Sequence, residues 1–215
     1  MFQEFREVIA SNNFVILDTE TTGLEEPAEI CGIAIVDFTG TAILDTLVKP
    51  RLGISSSAYR VHGISDLDVK DAPDWLEVKK EVLRLTSKRK IITYNAVFDR
   101  KMFHLSDLAC GVEHTEYKEI NDWLCAMLFY AEYYGEWDNY HGNYRWQKLG
   151  AAARQLGIVQ MGEHSALGDA LTTYAVIRRV TSALAAGDLL QGDNPPVRDM
   201  DDGWDHNIPK HDLVD

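Results

Sequence analysis

Cysteine is scarce in this chain of 215 residues: Cys31, Cys110 and Cys125 are the only three, far apart and without a CxxC pair. That number and spacing exclude a disulfide framework, give no zinc-site pattern and point to a reducing compartment. Basic charge is short as well. Lys and Arg number 21 against 34 Asp and Glu, a net charge of −13, so attraction to phosphate, which depends on cations, is weak for the chain as a whole. No apolar run approaches the length that spans a bilayer, and Met1-Phe2-Gln3-Glu4-Phe5-Arg6-Glu7 carries acids where a signal peptide carries bases. A cytoplasmic protein without a membrane partner is expected. A hydrophobic content of 46 % is ordinary for a domain with a filled core.

The acids are unevenly spread. Residues 188–215 hold eight Asp against Arg198 and Lys210, with Pro195-Pro196 and little apolar periodicity. Residues 1–187 are therefore expected to be the folded domain and 188–215 an acidic, mobile tail.

Within the domain, Phe14 to Leu17, Ile30 to Val36 and Thr41 to Val48 are β-rich runs, the last two joined by Asp37-Phe38-Thr39-Gly40, so an antiparallel three-stranded start is predicted. The period then changes. Trp75, Val78, Val82 and Leu85 recur at helical spacing behind Asp74, a residue suited to capping, and predict a helix over 74–85. Lys90 to Thr93 is expected as a short buried strand, Val97 to Leu108 as a helix, Ile120 as a strand end and Trp123 to Tyr133 as a helix. Gln147 to Leu156, stopped by Gly157, and Ala166 to Leu184 are the last two helices expected. Hairpin strands followed by strand–helix alternation imply an α/β sheet of mixed direction covered by helices.

Acids recur at the ends of these elements. In "DTETTG", residues 18–23, Asp18 and Glu20 close a buried strand and project from one face, where they repel each other unless something positive lies between them. A divalent cation is the usual solution. In "ITYNAVFDRKMF", Asp99 falls in the first turn of a helix that follows a strand. In "GEHSALGDALTTY", Ser165 can cap the final helix, Asp169 lies in its first two turns and His164 stands just outside it, free to swing beside the carboxylate. Taken singly, a first-turn Asp serves the helix dipole and a lone His a solvated loop.

Taken in order, "DTETTG", "NAVFD" and "HSALGD" resemble the three exonuclease motifs of the DEDDh branch of the DnaQ-like 3′-to-5′ exonucleases, the group that includes polymerase proofreading subunits. "VHGISDLDVKDAP" resembles the segment joining the third strand to the next helix, and "EICGIAIVDFTG" the second strand, with Glu29 where members often carry an acid. The resemblance covers roughly residues 12–183, and the H-x4-D spacing of His164 and Asp169 separates this branch from the one that uses Tyr. It implies a ribonuclease H-like fold, a mixed five-stranded sheet flanked by helices. Asp18, Glu20, Asp99 and Asp169 would hold two divalent cations, Mg²⁺ or Mn²⁺, and His164 would be the general base. Such ions take oxygen ligands, which agrees with four carboxylates and no Cys or paired His. By the same resemblance Thr21 and Gly23 lie near the terminal nucleotide, Leu24 wedges against its base, and His62 and Asn95 reach phosphate or sugar. For Leu24 a core position, and for His62 a structural turn, are the competing readings.

The implied substrate is a nucleic-acid 3′ end, DNA favoured over RNA, with a polymerase or other replication or repair protein as a possible partner. A phosphatase with a nucleophilic Asp would need a downstream Lys beside paired acids, and a non-catalytic binding module would favour loss of one of the five residues; none is lost. The segment "YYGEWDNYHGNYRW", residues 133–146, offers aromatic side chains that stack on bases or form a small core, the second being favoured. The basic runs at 87–90, 100–101 and 178–179 are expected to be solvated faces.

Overall fold

The computed structural model describes residues 1–112, 115, 117–160, 162 and 164–187, so the tail expected at 188–215 lies outside the described residues. The main sheet has five strands, β1 (Phe14–Thr21), β2 (Ile30–Asp37), β3 (Ala42–Leu47), β4 (Lys90–Thr93) and β5 (Trp123–Cys125), in spatial order β3-β2-β1-β4-β5. β1, β2 and β3 pair antiparallel, as their short connection predicts, while β4 joins β1 and β5 joins β4 in parallel. A separate two-stranded hairpin is formed by β6 (Trp137–Asp138) and β7 (Asn143–Tyr144). The helices are α1 (Phe2–Ser11), α2 (Ser56–His62), α3 (Asp66–Val69), α4 (Trp75–Thr86), α5 (Ala96–Ala109), α6 (Tyr117–Ile120), α7 (Ala126–Tyr134), α8 (Leu149–Gln155) and α9 (Ala166–Ala186).

β1 is apolar without alternation because both of its faces are covered. Val15 and Leu17 pack with Trp75, Val78 and Val82 of α4 and Met102 and Phe103 of α5. Phe14 and Ile16 face the other layer, with Phe129 and Tyr130 of α7 and Val176, Ile177 and Val180 of α9. The β2–β3 turn closes through the Gly40 N–H, which donates to the Asp37 carbonyl at 3.0 Å. Gly40 sits at φ 86°, and a side chain there would come within 3.0 Å of the Tyr174 ring of α9, so both its backbone angle and its neighbour require glycine.

Two expectations need correction. Ile120 ends α6 and is not in a strand, and the residues from Trp123 form β5 before α7 begins at Ala126. The run Trp123-Leu124-Cys125-Ala126-Met127 carries no break in apolar character, so periodicity alone could not divide strand from helix. The division comes from the neighbouring strand: Trp123, Leu124 and Cys125 pair with Ile91, Ile92 and Thr93, and the Trp123 indole N–H donates to the Tyr117 carbonyl at 3.1 Å. Helices α1, α2 and α3 were not anticipated. Phe2, Phe5 and Val8 recur every third residue in α1, a legible signal, and Phe5 stacks on Phe129 at 4.1 Å.

Candidate active site

The site forms where β1 outruns a neighbour. β1 pairs with β4 only from Phe14 to Ile16, but with β2 as far as Thr21. Its last residues thus stand at the end of the sheet, where β4 has turned into α5. Asp18 lies opposite Ala34 and Glu20 opposite Gly32, small residues in a strand otherwise built largely of Ile and Val, which leaves room on that face. The same face meets the start of α9, whose cap is Ser165: its hydroxyl accepts the Gly168 N–H at 3.1 Å. Asp169 in the first turn completes the group, and one carboxylate oxygen from each of Asp18, Glu20 and Asp169 lies within 4.8 Å of the others.

Asp99 arrives from the opposite layer. It is 4 % exposed in the first turn of α5, behind Asn95, whose side-chain oxygen accepts the Phe98 N–H at 3.4 Å. Thr19 projects from the other face of β1 and donates its hydroxyl to Asp99 Oδ1 at 2.9 Å. No local pattern signals this role for Thr19. It ties the fourth carboxylate to the strand that carries the first two.

Burial pushes the Asp18 carboxyl well above the usual range, and Asp99, Asp169 and Glu20 add repulsion. Burial, then Asp169 and Asp99, push Glu20 up to about 8. Burial likewise raises Asp99 to about 7, against the opposing hydrogen bond from Thr19. Among the described residues, no lysine or arginine forms an ion pair with Asp18, Glu20 or Asp99. A converging set of hard oxygen donors fits a divalent metal. Asp18, Glu20 and Asp169 would hold it, with Asp99 adjoining.

The predicted substrate residues surround this cluster. Thr21 is buried, its hydroxyl donating to the Gly23 carbonyl at 2.9 Å. Leu24 is 42 % exposed, which rejects the core reading. Both ring nitrogens of His62 are engaged: Nδ1 accepts the Ile64 N–H at 3.0 Å and Nε2 donates to the Thr21 carbonyl at 3.1 Å. Burial lowers its pKa, so His62 is a neutral strut between α2 and the end of β1. Asn95 is the cap of α5. His164 is exposed and stands immediately before α9 in the left-handed backbone region, φ 61°. Glu29 lies apart from the carboxylate group. Its buried side chain accepts the N–H groups of Arg51 and Leu52 at 3.0 and 2.7 Å, fixing the loop that leads to α2.

Of the aromatic segment, Tyr133 enters the core, Tyr144 is buried and Trp137 packs edge-on against it at 5.1 Å, the small core expected, whereas Tyr140 is 91 % exposed. Lys88, Arg89 and Lys90 line a shallow pocket with Asn13 and Asn121 at the start of β4, the end of that strand away from Asp99. Arg178 and Arg179 are exposed on α9.

A mixed five-stranded sheet with carboxylates gathered at the end of its central strand defines a class, the ribonuclease H-like nucleases. The family model described as exonuclease, RNase_T, matches residues 15–177, and the chain belongs to that family. It is 38 % identical over 176 residues to the uncharacterized exonuclease CP81 of Escherichia phage 186, covering 80 % of this chain and 88 % of the relative. It is 30 % identical over 182 residues to a DNA polymerase III subunit epsilon-like protein of Rhodobacter capsulatus, covering 80 % of this chain but only 24 % of that protein. Among solved structures, E. coli exonuclease I in complex with a dT13 oligonucleotide superposes with a TM-score of 0.64 at 18 % identity, covering 81 % of this chain and 42 % of the other. The nuclease domain of 3′hExo, a DEDDh family member bound to rAMP, does so with 0.58 at 19 % identity, covering 82 % and 94 %. The exonuclease assignment made from the motifs therefore stands. No described helix is long and apolar enough to cross a membrane.

Proposed function

We propose that the chain removes nucleotides from the 3′ end of single-stranded DNA as nucleoside 5′-monophosphates, using two divalent cations, Mg²⁺ or Mn²⁺. The observation that carries this reading is the group formed by Asp18, Glu20 and Asp169, with oxygens within 4.8 Å of one another and, among the described residues, no lysine or arginine ion-paired with the first two. Bound divalent ions supply a nucleophilic hydroxide at neutral pH and offset charge on the leaving 3′ oxygen. Asp18 would serve both ions, Glu20 and Asp169 the one on the nucleophile side and Asp99 the one on the leaving-group side. Thr19 holds Asp99 in its orientation. His164 takes the proton of the attacking water, a task suited to an imidazole on an exposed loop next to the site. Leu24, exposed beside Thr21 and Gly23, packs against the terminal base, and Asn95 lies next to the sugar-phosphate. His62 acts by holding the Thr21 carbonyl.

DNA is preferred because the DNA polymerase III epsilon-like relative matches 80 % of this chain; it also supports a replication or repair partner. The residue set serves RNA equally well, and RNA exonuclease 4 of Gibberella zeae is 29 % identical over 182 residues, covering 82 % of this chain and 52 % of that protein. The test is digestion of matched 5′-labelled DNA and RNA single strands with Mg²⁺ or Mn²⁺, alongside Asp18→Ala and His164→Ala. Stepwise shortening of DNA from the 3′ end, abolished by Asp18→Ala and strongly slowed by His164→Ala, is expected. Faster shortening of RNA would reassign the substrate. Wild type as inert as both variants would overturn catalysis.

A further inference from the structure

From the shape of the β6–β7 hairpin we infer that Tyr140 is a stacking platform for a base of the single-stranded DNA upstream of the scissile end, an inference that rests on the exonuclease reading. The hairpin is held at both ends. At its base, Trp137 and Tyr144 pack edge-on at 5.1 Å, Tyr144 is buried, and the Arg145 N–H donates to the Glu136 carbonyl at 2.8 Å. At its tip, Asp138 organises the turn: Oδ1 accepts the N–H groups of Tyr140 and His141 at 2.8 and 3.2 Å, and Oδ2 contacts His141 Nδ1 at 2.9 Å. The Gly142 N–H donates to the Asp138 carbonyl at 2.8 Å.

What this turn presents is Tyr140, 91 % exposed and flanked by the His141 ring edge-on at 4.8 Å. A large aromatic held in water by an ordered turn is already positioned to stack, so little ordering remains to be done on binding. The hairpin also leads to the site. Gln147, three residues past β7, accepts the Tyr94 hydroxyl at 2.6 Å through its carbonyl, and Tyr94 adjoins Asn95, the cap of the helix that carries Asp99. Tyr140 therefore lies no more than about 25 Å of chain from Gln147, where the hairpin's end meets Tyr94.

Charge gives the physical reason for an aromatic contact. A chain of net charge −13 cannot rely on phosphate attraction, whereas base–aromatic stacking is independent of sequence and of net charge. On the hairpin Glu136 is already paired with Arg145 at 2.9 Å, which lowers repulsion toward the strand.

The test compares wild type with Tyr140→Ala, Tyr140→Phe and Tyr140→Trp on two substrates: a 5′-labelled thymidine 20-mer and the p-nitrophenyl ester of thymidine 5′-monophosphate, which has no upstream base. Tyr140→Ala is expected to raise KM on the 20-mer roughly tenfold and to leave hydrolysis of the ester and the melting temperature unchanged. Tyr140→Phe is expected to behave as wild type and Tyr140→Trp to lower KM. An unchanged KM on the 20-mer, or equal losses on both substrates, would overturn the inference while leaving the exonuclease reading intact. Wild type inactive on both substrates would overturn that reading and this inference with it.

Discussion

Asp107 is a buried acid, Asp18 and Glu20 of the candidate site are half-buried ones, and the fold treats them in opposite ways. Around Asp107, the Trp75 indole N–H donates at 2.7 Å, the Lys79 ammonium at 2.9 and 2.7 Å to the two oxygens, and the Tyr117 hydroxyl at 2.6 Å. Burial pushes this carboxyl up, but Lys79, Tyr117 and Trp75 outweigh it and hold it below the usual range. Around Asp18 and Glu20 such donors are few, burial and mutual repulsion act together, and the carboxyls rise. A carboxylate supplied with its own cation and donors is part of the scaffold. A cluster left short of them is arranged for cations from outside, and the folded state carries the cost until they bind.

The sharpest way to break this contrast is Asp18→Asn. It is expected to lower the exonuclease rate by at least about 10³-fold, and to raise the melting temperature of the metal-free protein, because a buried repulsion is removed. Mg²⁺ or Mn²⁺ should raise the melting temperature of wild type much more than that of the variant. A fall in metal-free stability would show that Asp18 belongs to the scaffold.

Asp107→Ala is the converse. It strands Lys79, the Trp75 indole and the Tyr117 hydroxyl, and should cost about 3 kcal/mol in urea unfolding, with activity per folded molecule unchanged. Loss of activity in the fully folded variant would tie this network to the site.

A smaller effect lies in pH. Asp107 has a lowered folded-state pKa, so its stabilisation is present above the ordinary carboxylate value of 3.8 and is lost as pH falls through the lowered one. Glu20 is raised from 4.5 to about 8. In the metal-free chain the folded state therefore holds a proton that the unfolded state has released, and stability declines as pH rises between those values. Stability curves in EDTA should lose part of their acid limb in Asp107→Asn and part of their alkaline decline in Glu20→Gln. Identical curves for wild type and Glu20→Gln would remove the contrast.

Much of this was legible in order along the chain. The hairpin Gly40, the caps Asp74 and Ser165, and the five residues Asp18, Glu20, Asp99, His164 and Asp169 all announce themselves through local chemistry: a turn, a cap or an acid at an element's end. Thr19 and Glu29 do not. Each acts on a partner distant in sequence, Thr19 on Asp99 across two layers of the fold and Glu29 on the loop at Arg51 and Leu52, and neither neighbourhood has a pattern of its own. The β5–α7 boundary was illegible for a similar reason, since β5 exists by virtue of pairing with β4.

The sequence by itself determined the order of β1 to β4 and of the long helices α4, α5 and α9, the alternation that puts Asp18 and Glu20 on one face, and the motif spacing that identifies the family. These depend on short-range periodicity and capping, which a few consecutive residues encode. Only the tertiary structure decided that Asp169 closes on the two strand acids while Asp99 enters from the opposite layer, that Leu24 and Tyr140 face water, and that Asp107 is satisfied where Asp18 is not. Those outcomes depend on which elements pack together, and so on burial and on the donors that other parts of the chain bring to each carboxylate.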